Sequence, residues 1–201
     1  MLSTATTATN SSQINNFNKT LLGKEQLQWL EHGLQRSNAT WKIVSNDDPI
    51  FIPECRTFDP DSPAGCDNWA TDGNTTLNFV NERNGFLKFL DDNKVDNVVF
   101  ITTDVHFPAN IVLNQDFNND GHNLTLYELV SGPISAWAPA IADPLDPTVN
   151  AKYLYNEAKL FNFGYYKIQK NTGDGKSHFI SEIRGMDGLT RPDSQLDLTP
   201  Q

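Results

Sequence analysis

The chain has 201 residues, of which 38% are hydrophobic, so it is long enough for one domain with a substantial core. Its formal net charge is −10 and its lysines and arginines form no cluster, which argues against a nucleic-acid-binding role that depends on neutralising phosphates. It contains no run of about 18 apolar residues, so no membrane span is predicted.

The N-terminal region is polar. Residues 1–19 are rich in Ser, Thr, Asn and Gln, and we expect them to form a disordered arm. No basic stretch followed by an apolar stretch occurs there, so the sequence predicts no signal peptide. Residues 22–37 form the first predicted helix, because leucines recur at intervals of three and four. A short strand is predicted over residues 41–44.

A long irregular segment, residues 45–77, follows and contains both cysteines. Cys55 and Cys66 either close a small disulfide loop or remain two free thiols. We favour the disulfide, because a loop with little regular structure gains more stability from a covalent link. Five Asn-x-Ser/Thr sequons would suit an exported protein, although a chain rich in Asn and Thr also produces them by chance.

The central element of the predicted fold is a strand. The four consecutive apolar residues at 98–101 indicate a strand over residues 97–102 that is buried on both faces. We expect it to lie between the strand at 41–44 and another at 109–114. A second helix is predicted over residues 79–92, packed on the same face of the sheet as the first helix.

Asp104 and His106 stand directly after this strand. Ligands in open α/β sheets bind where strands end at their carboxyl side, and both residue types coordinate metals. On an extended strand tip, residues two apart share a face, so this pair is a candidate metal site. The alternative is a surface Asp and His in a turn that caps the strand.

The remaining chain predicts a meander of strands. Residues 109–114 and 124–130 are joined by an Asp- and Asn-rich loop at 116–121, which is either a calcium-binding loop or an Asn-Asp-Gly hairpin turn. A final hairpin is predicted over residues 160–168 and 178–183. The order of elements predicts a mixed α/β fold in which helices flank a mixed sheet.

Several segments together resemble one family. The segments 21–30 and 37–43, the pair Glu82-Arg83, and the block 97–106 are similar in order and spacing to the PhoD-like alkaline phosphatases of the calcineurin-like metallophosphoesterase superfamily. The resemblance implies a partial calcineurin-like α/β/β/α sandwich. Residues 20–190 would form the C-terminal part of such a domain, preceded by the arm and followed by a tail over 191–201.

The resemblance also implies an activity. The chain would belong to a metal-dependent phosphoric ester hydrolase of the alkaline phosphatase D type, acting on small phosphate esters with calcium and iron as cofactors. Asp104 and His106 would be metal ligands, and the protein would be extracellular or located in the cell envelope. Arg83 could bind the phosphate, or could instead pair with Glu82 or Asp91.

Two further features bear on this hypothesis. Asp72 could lie on the substrate side of the site, or could be a turn residue in a polar loop. Thr103 stands where the family usually has glycine. The family's other metal ligands precede the first helix, so we expect the N-terminal half of the fold to be missing and the chain to be inactive alone. The alternative is a non-catalytic exported binding or structural module that keeps the sheet without the metal site.

Overall fold

The computed structural model describes residues 19–56, 65–66, 68–73 and 79–201. The predicted N-terminal arm lies outside these ranges except for its last residue, residue 19. The described residues form two helices, α1 (Lys24–Arg36) and α2 (Val80–Asp92). Their strands are β1 (Lys42–Ser45), β2 (Cys55–Arg56), β3 (Gly65–Cys66), β4 (Val98–Thr102), β5 (Ala109–Gln115), β6 (Leu124–Val130), β7 (Ala151–Asn156), β8 (Asn162–Lys170), β9 (Ser177–Gly185) and β10 (Leu196–Leu198).

The main sheet has five strands in the order β1-β4-β6-β5-β7. Strands β1, β4 and β6 run parallel, whereas β5 is antiparallel to both of its neighbours. The predicted central strand is confirmed, and only Ile101 in it is partly exposed. Its predicted neighbour β1 is also confirmed, but β5 is not its other neighbour. The β5–β6 hairpin meets β4 through its second strand, so β6 lies between β4 and β5.

Both helices pack on one face of this sheet, as predicted. Leu34 of α1 and Phe86 of α2 lie in the same buried cluster as Phe100 of β4. The opposite face is covered by a second sheet with the order β10-β9-β8, through contacts that include Val99 and Phe179. The fold is therefore mixed α/β with a helix layer and two sheet layers, which matches three layers of the expected four-layer sandwich.

Four strands were not predicted, namely the two-residue strands β2 and β3 within the segment expected to be irregular, and the longer strands β7 and β10. Strand β7 alternates between half-buried and exposed residues and pairs with β5 at the edge of the main sheet. Strand β10 lies within residues 191–201, which were expected to form a tail. It pairs with β9, and Leu198 contributes to the buried cluster between the sheets. The alternation of Leu196 and Leu198 is the sequence signal for this short strand.

The loop at 116–121 forms a hairpin turn whose side-chain oxygens cap the backbone. Asp116 Oδ1 accepts hydrogen bonds from the amides of Asn118 and Asn119, at 3.2 and 2.5 Å. Its Oδ2 accepts a bond from the amide of Gly121 at 2.9 Å. These bonds lower the pKa of Asp116 against the opposing effect of desolvation. The arrangement favours the hairpin-turn alternative over a calcium loop.

His178 joins the turn before β9 to the last strand. Its Nδ1 lies 2.5 Å from Asp197 Oδ1 on β10, and its Nε2 lies 2.9 Å from Asp174 Oδ2. In the protonated imidazole both ring nitrogens donate, which matches two carboxylates that only accept hydrogen bonds. These two hydrogen bonds raise the pKa of His178 above its ordinary value of 6.5.

A pH dependence of stability follows from this contact. Because the pKa of His178 is higher in the folded than in the unfolded chain, its contribution is fully present below about pH 6.5 and is lost as the pH rises through the folded-state pKa. Urea unfolding of the wild type and of His178→Gln at a series of pH values should show a stability difference that shrinks as the pH rises. A difference that stays constant with pH would contradict this assignment.

The backbone brings the two cysteines together. Strands β2 and β3 pair antiparallel in a register that sets Cys55 directly opposite Cys66. Directly paired residues have Cα atoms about 4.5–5.5 Å apart, within the range that a disulfide requires. The disulfide stays a prediction, and the backbone satisfies its first geometric condition.

We therefore expect the oxidised protein to contain no free thiol and the reduced protein to contain both. A thiol assay on the denatured chain, with and without prior reduction, measures this directly. Reduction should lower the free energy of unfolding by about 3 kcal/mol, the usual effect of opening a loop of this size. Detection of both thiols without reductant would contradict the prediction.

Candidate metal centre

The candidate site lies at the edge of the main sheet where β1, β4 and β6 end together. Backbone hydrogen bonds continue the pairing beyond these strands. The Asn46 amide donates to Ile101 O at 3.0 Å, and the Thr103 amide donates to Asp47 O at 3.2 Å. The loops that follow β1 and β4 are therefore held side by side.

Three carboxylates converge at this edge. Asp48 follows β1, Asp104 follows β4, and Glu54 stands at the end of the same segment as Asp48. One carboxylate oxygen from each residue lies within 4.8 Å of the others. Glu54 is buried, Asp48 is half-buried and Asp104 is exposed, so the group extends from the protein interior to solvent. Carboxylate oxygens grouped in this way are the ligand type that hard cations take in proteins.

The chain at Asp104 differs from the expected extended tip. Asp104 has a φ of 73° and His106 a φ of 63°, both in the left-handed region. Val105 and Phe107 alternate with them and are buried in the core, at 1% and 0% exposure. The apolar residues therefore anchor the turn, and the Asp and His are left at its surface. Thr103 is not among the residues with positive φ, so its β-branched side chain causes no strain at this position.

His106 lies outside the three-carboxylate group but has a fixed orientation. Its Nδ1 lies 2.7 Å from the carbonyl oxygen of Trp137, and the two rings are 5.8 Å apart between centroids. A carbonyl oxygen can only accept, so Nδ1 carries the proton, and Nε2 of the neutral ring has a lone pair. Histidines that bind metals commonly donate their other nitrogen to a carbonyl in this way.

Arg83 is enclosed by the protein. Its side chain is fully buried, and Nη1 lies 2.5 Å from Asp146 Oδ2. Nη2 donates to Asn84 Oδ1 at 3.0 Å and to Thr148 Oγ1 at 3.1 Å. Burial lowers the pKa of Arg83, and the Asp146 carboxylate opposes that shift. A phosphate could reach this guanidinium only if the segment around Asp146 moved away.

The two neighbours expected to pair with Arg83 have other partners. Glu82 Oε1 accepts bonds from the amides of Leu21 and Leu22, at 2.9 and 3.0 Å. Asp91 Oδ2 accepts a bond from the amide of Phe117 at 2.8 Å. Both acids therefore connect α2 to other backbone segments, and the partner of Arg83 comes from 63 residues further along the chain.

Asp72 is half-buried outside any helix or strand and does not belong to the three-carboxylate group. It is followed by Gly73, which has a φ of 81°, and preceded by Thr71, whose amide donates to Asp146 Oδ2 at 2.7 Å. The substrate-side role of Asp72 stays a prediction, as do the roles of Asp104 and His106.

Asp48 and Glu54 were not identified from the sequence. Both lie in a segment without helix or strand periodicity, and their proximity to Asp104 depends on the parallel pairing of β1 with β4. An available signal was the position of Asp48 just after β1, because parallel strands end at the same edge of a sheet. The atoms of this group that could bind a metal are all carboxylate oxygens, which suit a hard cation such as calcium.

The fold and the site together define a class of protein. It is a mixed α/β domain in which three carboxylate side chains, of the kind that bind metals, lie at the carboxyl ends of the parallel strands. The model of the PhoD-like phosphatase family matches residues 2–179, and the chain belongs to that family.

Two longer proteins are similar to this chain. Alkaline phosphatase D of Bacillus subtilis (strain 168) is 32% identical over 127 residues, which are 63% of this chain and 20% of that protein. A solved structure of PhoD aligns with 96% of this chain and 38% of its own chain, at 18% identity and a TM-score of 0.48. The chain thus spans about a fifth of the length of the curated relative it matches.

Proposed function

We propose that this chain contributes the carboxylate side of a metal-dependent phosphoric ester hydrolase site of the alkaline phosphatase D type. The observation that supports it most is the convergence of Asp48, Glu54 and Asp104 at the carboxyl edge of three parallel strands. Family membership supports the same reaction class. The substrate would be a small phosphate ester.

In this proposal the three carboxylates hold a hard cation, with calcium the best match to their oxygens. His106 follows Asp104 by two residues; its Nε2 would bind a metal through its lone pair, or, when protonated, donate a hydrogen bond to a substrate oxygen. Its Nδ1 bond to the Trp137 carbonyl keeps the ring from turning over. A bound cation would polarise the phosphoryl oxygens and lower the pKa of a water molecule. Iron, the second metal of the family resemblance, would need further ligands.

The described ligands are too few for catalysis by this chain alone. Calcium usually takes about 6–8 oxygen ligands, and the group supplies three carboxylates. We propose that the N-terminal half of the domain supplies the remaining ligands and that the chain alone turns over substrate poorly. The five sequons and the facing cysteines support an extracellular or cell-envelope location in the same proposal. In the described part of the chain, no helix is long and apolar enough to cross a membrane.

The second candidate is a non-catalytic exported binding or structural module. The incomplete ligand set favours it. DNA sequence upstream of the Met1 codon distinguishes the two: an open frame encoding further Asp- and Asn-bearing strands supports the hydrolase, and an unrelated gene supports the module.

Cation binding tests the proposed site. We expect terbium, titrated into the full chain in physiological salt and displaced by calcium, to bind in a saturable manner. Asp104→Asn should weaken that binding by about tenfold or more, because it removes a charged ligand. Asp120→Asn is the matched control, since Asp120 is an exposed carboxylate in the 116–121 hairpin. Weakening by Asp120→Asn but not by Asp104→Asn would place the cation in the hairpin and contradict the proposed site.

A further inference from the structure

Residues 50–52 connect two of the three carboxylates of the candidate site. Asp48 lies two residues before this segment and Glu54 two residues after it. The side chains of Ile50, Phe51 and Ile52 are all 0% exposed, although the segment belongs to no strand. Its backbone polar groups therefore need partners from side chains or loops, because water does not reach them.

Glu128 supplies those partners from the middle of the main sheet. Its Oε1 accepts a hydrogen bond from the Ile50 amide at 2.7 Å, and its Oε2 accepts one from the Phe51 amide at 3.1 Å. Pro49 and Pro53, which flank the segment, have no amide hydrogens to donate. One carboxylate therefore holds two of the three amides that this stretch can offer.

The same carboxylate also contacts the strand that carries the third ligand. The Thr102 hydroxyl donates to Glu128 Oε1 at 3.1 Å, and Thr102 is the last residue of β4, two residues before Asp104. Glu128 and Thr102 are both 0% exposed. A single buried side chain is thus bonded to the two separate segments that bring Asp48, Glu54 and Asp104 together.

The carbonyl groups of the segment are held from other directions. Ile50 O accepts from Arg83 Nη1 at 3.3 Å, and Phe51 O accepts from the Asp146 amide at 2.9 Å. These two bonds hold the carbonyl groups of the segment, but neither involves a residue of β4. Glu128 bonds to both segments, through the Ile50 and Phe51 amides on one side and the Thr102 hydroxyl on the other. Burial raises the pKa of Glu128 to about 7, and its hydrogen-bond donors and the nearby guanidinium oppose the shift.

We infer that Glu128 is a positioning residue of the candidate metal centre, which aligns the Asp48–Glu54 segment with Asp104 by bonding to both. The inference rests on the proposed function, because it assumes that the three carboxylates bind a cation. Glu128 itself does not contact the cation. Groups that orient metal ligands typically change metal affinity by about 10–100-fold when they are removed.

The test compares Glu128→Gln with Leu126→Ala in the full chain. Glutamine keeps the shape of Glu128 but replaces one acceptor oxygen with an NH2 group, which faces an amide donor. Leu126 lies two residues earlier on β6 in the same core cluster, so its truncation destabilises the core without touching these bonds. Terbium affinity should fall about tenfold or more in Glu128→Gln and stay within about twofold of wild type in Leu126→Ala. Hydrogen exchange should accelerate at the Ile50 and Phe51 amides in Glu128→Gln.

A second pair of variants covers the case in which Glu128→Gln does not fold. Thr102→Val removes the hydroxyl and keeps the shape of the side chain, whereas Thr102→Ser keeps the hydroxyl. We expect weaker terbium binding in Thr102→Val and near-normal binding in Thr102→Ser, a rescue that packing alone does not explain.

The outcomes separate the two proposals. If Asp104→Asn weakens terbium binding but neither Glu128→Gln nor Thr102→Val does, the positioning role is wrong and the metal site stands. If the wild-type chain shows no saturable binding, or Asp104→Asn binds as the wild type does, the metal site itself is wrong.

Discussion

Replacing Asp104 with asparagine, or His106 with alanine, is expected to lower phosphate-ester hydrolysis by about 100-fold or more once the chain is joined to a segment that supplies the further ligands of the proposed site. Losing a group that stabilises charge in the transition state commonly has an effect of this size. Asp104 belongs to the three-carboxylate group, and His106, two residues further along the chain, is oriented by its Nδ1 contact with the Trp137 carbonyl. A chromogenic phosphate ester with added calcium and iron measures the rate.

The control for this experiment is Asp120→Asn, which changes an equally exposed carboxylate away from the site and should leave the rate unchanged. The chain alone should hydrolyse the same ester poorly with any of the metals. Robust metal-dependent turnover by the chain alone, insensitive to both substitutions, would show that the site lies elsewhere.

Removing Asp146 is expected to destabilise the protein by about 3–5 kcal/mol, because it leaves the buried Arg83 charge without its partner. Both side chains are 0% exposed, and the guanidinium has no access to water that could replace the carboxylate. Asp146 also accepts the amide of Thr71, so its loss frees a second buried donor. Urea unfolding of Asp146→Ala against wild type measures the effect.

Two further variants serve as comparisons for this stability measurement. Replacing both members, as Arg83→Met with Asp146→Ala, should cost less than Asp146→Ala alone, since no uncompensated charge remains. Lys88→Ala, which breaks the exposed pair with Asp92, should change stability little. If Asp146→Ala were no more destabilising than Lys88→Ala, the pair would not be buried in solution.

The local elements of the fold could be predicted because their signals are local. Leucine spacing predicted α1, and the apolar run at 98–101 predicted β4, each within two residues of the observed ends. The second neighbour of β4, on the side away from β1, could not be predicted in this way. Either strand of the β5–β6 hairpin could pair with β4. The choice depends on packing between residues far apart in sequence, and the periodicity of the sequence does not indicate it.

The same limit applies to the site. Asp104 was identified because it follows a recognisable strand. Asp48 and Glu54 were missed, because their approach to Asp104 depends on the β1–β4 pairing and on the bonds that Glu128 makes to Ile50 and Phe51. The partner of Arg83 was missed for a similar reason: Asp146 lies in a segment with no regular pattern, so the sequence suggested only a phosphate or the nearby acids Glu82 and Asp91.

The left-handed backbone at Asp104 constrains how this position can change over evolutionary time. At a φ of 73°, asparagine and glycine are tolerated, whereas β-branched residues are strongly disfavoured. A single base change converts an aspartate codon to asparagine, which keeps the turn and removes the charge. Descendants of such a chain can therefore lose the charge at this position in one step while keeping the fold. The same geometry that exposes the carboxylate thus makes that charge easy to remove without disturbing the buried residues on either side of it.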